Sequence, residues 1–322
     1  MKSIKTMAVV LAIAALLVAG CGSDESSKDG TQASGSPAKE QVTVGVALPD
    51  LTAFGGVYGL VYDGMKQAAE QQNVKIELTT TTGEFSPQKY LNAVDDVVTR
   101  GPKVVTFTAY DKTIFGPVQK RLKDQGVKVV QIDGTPVGNE ETAIVTDAEA
   151  AVRGGIDTLL EAMGGPGKVA ILVVQGNDTV QQRIDIAKKA LADAGATVVE
   201  VPAGDDGVCA LVGGANATQD VLQAHPDVRG IFAGCGMPGV GAAKAVEQAG
   251  KRIPIISYDA APDELKAIKA GTLTGSIRQN FEEMGSKTIE AMVAVAKGEP
   301  VDPLYRTGFV VVTQENVDKY LK

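Results

Sequence analysis

The sequence predicts an α/β protein with two parallel sheets, and three observations carry that expectation. Short β-branched runs alternate with amphipathic stretches along most of the 322 residues, the pattern of parallel strands joined by crossover helices. Several runs are apolar from end to end, KVAILVV at 168–174 and FVVVT at 309–313 among them, as strands covered on both faces require. Eleven such runs are also more than one sheet commonly holds, so the count points to two.

The expected strands are 42–49, 74–81, 104–110, 127–133, 143–147, 168–174, 197–202, 228–235, 253–259, 274–279 and 309–313. Helical patterns lie between most of them. In one, Ile184, Ala187, Leu191 and Ala194 recur at helical spacing before Gly195, a natural C-terminal stop.

The first 41 residues read differently. Lys2 and Lys5 precede an uncharged apolar run, Met7 to Ala19. It is too short to span a membrane, which takes about 20 apolar residues, but it suits the core of an export signal. LVAGC at 17–21 resembles the lipobox of bacterial lipoproteins. That resemblance implies a signal peptide over 1–20, lipid on Cys21, and an extracytoplasmic protein tied to the bacterial cell membrane by that anchor alone. Residues 21–41 are rich in Ser, Gly, Asp and Lys and nearly devoid of aliphatics, so they are expected to form a flexible tether.

Composition excludes several classes. The formal charge is -8, and -10 once Lys2 and Lys5 leave with the signal, which argues against a nucleic-acid partner. No Cys/His cluster offers a metal site, and no cofactor or catalytic residue is expected. The only histidine, His225, sits in the turn sequence HPDV, and no G-x-S-x-G presents a serine to it. GGPGK at 164–168 precedes a strand, so it reads as a turn and not a phosphate loop. GCGMPG at 234–239 follows a strand, with Asp259 20 residues beyond Gly239, the spacing of a dinucleotide fingerprint. It keeps an NAD-dependent oxidoreductase as a remote alternative, although Pro238 occupies the turn whose N–H groups should face phosphate.

In doubly wound folds, ligands bind beyond the carboxyl ends of the strands. Those ends carry Pro49-Asp50, Tyr110-Asp111, Asp133-Gly134, Asp147, Gly176-Asn177-Asp178, Gly234-Cys235-Gly236, Asp259 and Gln279. Asp, Asn and Gly also favour turns and helix caps. Their convergence on one edge points to a binding cleft. Cys235 ends one strand and Cys209 follows another by a seven-residue loop from the same edge, so a Cys209–Cys235 disulfide bracing that cleft is expected.

From Val42 to about Thr313 the chain resembles periplasmic sugar-binding proteins of the ribose-binding type, the receptor subunits of ABC importers. The stretches that carry the resemblance are DGMKQAAEQQNVKIELTTT, VVTFTAYDKTIFGPVQKRLKDQGVKVVQID, GNDTVQQRIDIAKKALADAGATVV, HPDVRGIFA, IPIISYDAAPDELKAIKAGTLTGSIRQ and FVVVTQENV. It implies two Rossmann-like lobes, 42–146 with 280–307 and 147–279 with 308–322, joined by a three-segment hinge. It also implies a monomer that captures a small polar ligand, a sugar or polyol, and delivers it to a permease and its ATPase. A receptor feeding a sensor kinase or chemoreceptor would use the same cleft.

Position by position, the resemblance makes Asp133 an acceptor for a ligand hydroxyl and Arg183 a donor. Asp259 and Gln279 become further polar contacts, the latter at a hinge crossing, and Tyr58 with Phe54 covers one face of a ring. The chain departs from the family by placing Gly134 where arginine often follows the aspartate, and Cys235 where Asn or Asp is usual. With no Trp and 4% aromatics, ring stacking is expected to be sparse. A polyol, a small or modified sugar, or a cationic metabolite facing Asp111, Asp133 and Asp259 all remain open.

Overall fold

Two sheets repeat one strand order. The computed structural model describes residues 41–83, 85–204 and 208–321; Cys21, the signal segment and all of the expected tether but Gln41 lie outside the described residues. The first sheet holds β1 (Val42–Leu48), β2 (Val74–Thr80), β3 (Val104–Ala109), β4 (Lys128–Gly134), β5 (Thr142–Thr146) and β11 (Leu304–Thr307). The second holds β6 (Lys168–Val174), β7 (Thr197–Gly204), β8 (Gly230–Ala233), β9 (Ile255–Tyr258), β10 (Gly275–Gln279) and β12 (Phe309–Thr313). Their orders are β2-β1-β3-β4-β5-β11 and β7-β6-β8-β9-β10-β12. Every pairing is parallel except β10 with β12. The α/β architecture with two parallel-sheet lobes is therefore the observed fold.

β11 is the strand the sequence did not announce. Its four residues, LYRT, run along the edge of the first sheet beside β5, and only Thr307 is buried. An edge strand covered on fewer sides needs no apolar run.

Helices cover the sheets. Those of the first sheet are α1 (Val57–Gln72), α2 (Pro87–Thr99), α3 (Lys112–Asp124) and α9 (Phe281–Lys297); those of the second are α4 (Ala148–Met163), α5 (Asp178–Asp193), α6 (Leu211–Ala224), α7 (Gly236–Gln248) and α8 (Pro262–Ala270). Side-chain oxygens of Ser86, Asp111, Asp147 and Asn177 accept from first-turn N–H groups of α2, α3, α4 and α5, which satisfies donors that a helix cannot satisfy itself. α1 and α9 touch backbone to backbone. A Cβ on Gly64 would lie 2.1 Å from the Glu282 carbonyl oxygen, and one on Gly285 would lie 1.9 Å from that of Val61. Phe281, Met284, Ile289 and Met292 of α9 share a core with Val44, Leu48 and Met65.

The chain crosses between sheets three times, after Thr146, after Gln279 and after Thr307. Asp147 N–H donates to the Thr307 carbonyl and Asn280 N–H to that of Gly308, both at 3.2 Å. The Thr146 hydroxyl donates to Gln279 Oε1 at 2.6 Å. The crossings thus form a small ladder, a hinge in the geometric sense.

Candidate binding cleft

Both sheets change direction at their centres, between β1 and β3 and between β6 and β8, where doubly wound folds open a crevice beyond the strand ends. Here the two crevices face each other. A cavity of about 90 Å³ lies between them, lined from the first lobe by Phe54, Tyr58, Phe85, Thr108, Tyr110 and Asp133, and from the second by Asn177, Thr179, Arg183, Cys209, Cys235 and Asp259, with Gln279 at the hinge. At roughly 10–15 Å³ per water-sized occupant, this is the scale of a small polyol or monosaccharide. A wider opening of about 570 Å³ shares Asp133, Arg183 and Gln279 with it.

The lobes are in direct contact. Asp178 N–H donates to the Tyr110 carbonyl at 2.8 Å, and Lys112 N–H donates to Asp178 Oδ2 at 2.7 Å. Gly55 packs so closely on Ala261 that a Cβ on it would sit 2.4 Å from the alanine methyl. This is a closed arrangement.

Backbone strain marks the cavity. Only five non-glycine residues among those described have φ in the left-handed region, and Phe54 (52°), Asp133 (53°) and Asp259 (100°) line the cavity. A fourth, Ala260 (50°), follows Asp259, and the fifth, Asn73, caps α1. Such conformations cost about 1–3 kcal/mol each and persist where the surroundings over-determine them. Around Asp259 they do. Ala260 N–H donates to Ser276 Oγ at 2.9 Å and Ala261 N–H to Glu264 Oε2 at 2.8 Å. Ser276 in turn donates to Glu264 Oε1 at 2.6 Å, and so does Ser257. At Asp133 the β3–β4 register shifts, and Gly134 (φ 78°) approaches Ala109 so nearly that a Cβ would lie 2.5 Å from its carbonyl oxygen. Gly134 therefore stands where a larger residue does not fit.

The polar groups differ in engagement. Gln279 Nε2 donates to Asp259 Oδ1 at 2.8 Å. Arg183 donates through Nη1 to the Gly234 carbonyl at 3.1 Å and lies over the Tyr258 ring, 3.7 Å from its centroid. Burial opposes the charge of Arg183, but Tyr258, Asp259 and Asp133 outweigh it and hold the guanidinium above its ordinary pKa. Burial raises Asp259 above the usual carboxylate value, against the pull of Arg183 and the Gln279 bond. Burial likewise pushes Tyr110 and Tyr258 up to about 12 and Tyr58 well above its ordinary value. All three phenols are neutral donors at physiological pH. The Tyr110 and Thr179 hydroxyls are buried at the cavity with no hydrogen-bond partner among the described residues. Buried polar groups are nearly always paired, so these orphans are what a polyhydroxylated guest would satisfy.

Phe54, Tyr58, Asp133, Arg183, Cys235, Asp259 and Gln279 thus meet at one cavity. Asp111 does not. Its Oδ1 accepts from the N–H groups of Thr113 and Ile114 at the start of α3, and it does not line the cavity. Its neighbour Tyr110 takes the inward place. The expected scarcity of rings is also corrected: six of the chain's 14 aromatic residues (seven Phe, seven Tyr) line the cavity, namely Phe54, Tyr58, Phe85, Tyr90, Tyr110 and Phe281. Cys209 and Cys235 are joined in a disulfide, Cα atoms 6.2 Å apart, so Cys235 contributes a sulfur wall and not a polar contact.

The GCGMPG glycines serve packing. A Cβ on Gly236 would lie 2.8 Å from the Tyr258 carbonyl oxygen, and one on Gly239 would lie 2.3 Å from Ser257 Cβ. Protein already fills the approaches that a pyrophosphate would need. Among the described residues no group of three or more His, Cys, Asp or Glu could hold a metal ion, and no helix is long and apolar enough to cross a membrane.

Two α/β lobes closing on a polar, ring-lined cavity define a hinged solute receptor. A profile of the periplasmic binding protein domain matches residues 52–300, and the chain belongs to that family. It is 27% identical over 256 residues to the ribose import binding protein of Escherichia coli strain K12, covering 78% of this chain and 86% of that one. The D-allose-binding periplasmic protein of the same strain is 26% identical over 256 residues, covering 75% and 81%. An ABC transporter solute binding protein from Agrobacterium vitis, solved with bound alpha-D-tagatopyranose, superposes with a TM-score of 0.78 at 24% identity. That superposition covers 87% of this chain and 99% of the other, a likeness of fold.

Proposed function

We propose that the protein is a monomeric extracytoplasmic receptor that closes on a small polyhydroxylated ligand, a sugar or polyol, and delivers it to an ABC permease. One observation carries the reading: strained carboxylates, a buried arginine and unpartnered hydroxyls converge on one cavity between the lobes. Carboxylates accept from hydroxyls, arginine and the phenols donate, and ring faces cover C–H faces. The names of the ribose- and allose-binding relatives support the ligand class. The protein binds and releases; it is not an enzyme. The lobes are 42–146 with 280–307 and 147–279 with 308–322. Ligand contacts from both lobes favour the closed form, since only contacts unequal between open and closed states shift that balance. Calorimetric titration of ligand-freed protein with pentoses, hexoses and polyols tests the reading, with small-angle scattering to follow compaction. No binding by any of them would refute it.

The lipobox-like LVAGC at 17–21 supports an anchor at Cys21. Cys21→Ser should shift the protein from the membrane fraction to the soluble one, or leave it as precursor. Unchanged fractionation and mass would exclude the anchor.

A further inference from the structure

We propose that the cleft takes a hydroxylated ligand carrying a protonated amine, an amino sugar or amino polyol. The inference rests on the cleft being a binding site and adds the charge of its guest. Inside the cavity two carboxylates, Asp133 and Asp259, face one cation, Arg183. Arg183 is already engaged with the Gly234 carbonyl and the Tyr258 ring, and Asp259 accepts from Gln279. Asp133 uses only its main-chain oxygen, which accepts from Gln131 Nε2 at 3.1 Å. Its carboxylate has neither a hydrogen bond nor an ion pair among the described residues. Yet the left-handed turn holds that residue at the cavity wall.

The imbalance is built into the backbone. The residue after Asp133 cannot carry a balancing cation, because the position of Gly134 admits no side chain. In the wider opening Asp133, Asp147, Glu149, Asp178 and Asp185 outnumber Lys112, Arg183 and Arg306, although Glu149 is paired with Arg153. Field lines from such a mouth concentrate cations at the entrance.

A neutral guest could donate a hydroxyl to Asp133, but it would leave the half-buried carboxylate of that residue without a balancing cation in the cavity. An ammonium group supplies both the donor and the missing charge, and charge-assisted hydrogen bonds are about twice as strong as neutral ones. The rings of Phe54, Tyr58, Phe85 and Tyr110 favour a cation over their faces as well as sugar C–H groups. Tyr110, 7% exposed, and Thr179 keep hydroxyls that have no partner among the described residues for the guest's own hydroxyls.

Matched pairs differing by amine for hydroxyl test the proposal: D-glucosamine with D-glucose, D-galactosamine with D-galactose, glucamine with sorbitol, and serinol with glycerol. Each is titrated calorimetrically into the ligand-freed protein, below the amine's pKa and again above it. In at least one pair the amine should bind about tenfold or more tightly, a difference of about 1.4 kcal/mol. Raising the pH above the amine's pKa should remove that advantage, and so should Asp133→Asn. Asparagine tolerates left-handed backbone, so the variant should fold; if it does not, the pH comparison decides alone. Equal or tighter binding of the neutral member in every pair that binds would overturn the inference and leave the proposed function standing. No binding in any pair would remove that function and the inference with it.

Discussion

Tyr90 is fully buried, and its hydroxyl donates to the Ala47 carbonyl at 3.1 Å while accepting from Thr108 N–H at 2.8 Å. It bridges β1 and β3 beyond the short stretch where they pair, Gly45–Val46 with Val105–Thr106. Tyr90→Phe would leave both main-chain groups unpaired, so it should cost about 1–3 kcal/mol in denaturant unfolding. A loss below the measurement error would show that the bridge is dispensable. Glu264 offers a pH test. Burial pushes it up to about 8, with the charge of Asp259 adding, from an ordinary value of 4.5. Between those values the native protein holds a proton that the unfolded chain has released. The stabilisation from this group is therefore complete below about pH 4.5 and is lost as pH rises toward about 8. Glu264→Gln should flatten that part of the stability profile, read from urea midpoints across the range. An unchanged slope would mean that the carboxyl ionises normally.

At the scale of elements, the α1–α9 contact depends on absent side chains. Gly285→Ala would place a methyl against the Val61 carbonyl oxygen, inside any tolerable contact distance. Forcing the helices apart should cost about 1–3 kcal/mol, measured by urea unfolding; an unaffected midpoint would show that α9 can shift freely. Most elements were legible in the sequence because buried parallel strands are apolar throughout. β11 was not, since LYRT at a sheet edge carries no such signature. Two strand ends that read alike in the sequence part company in the structure. Asp111 and Asp133 both end strands, but a helix begins at Lys112 and draws Asp111 into capping it. Asp133 is followed by GTPVGN, which starts no helix, so it stays at the cavity. The ring-lined wall was hidden for another reason. A composition average says nothing about clustering, and Phe85, Tyr110 and Phe281 come from three separate segments.

At the scale of the molecule, closure has contacts of its own. The bond from Lys112 N–H to Asp178 Oδ2 joins the two lobes through residues that do not line the ligand cavity, and the Asp178 N–H bond to the Tyr110 carbonyl runs beside it. Asp178→Ala removes the side-chain bond and should lower apparent ligand affinity by shifting the population toward open forms. Exposure of this bond limits the effect to about 0.5–1.5 kcal/mol, roughly two- to tenfold. Calorimetry with whichever sugar or polyol binds would measure it. Wild-type affinity in that variant would mean the bond does not bias closure.

The three crossings have a consequence for how the chain comes together. The core of the first sheet includes Phe281, Met284, Ile289 and Met292, which follow the whole second sheet up to β10 in the order of synthesis. A ribosome would therefore deliver β1 to β5 long before the helix that covers them. Until α9 arrives that core is incomplete, and closing it brings α9 back to β1 across more than 200 residues of intervening chain, a separation that slows folding. Such delay lengthens the time for which a newly made chain stays unfolded.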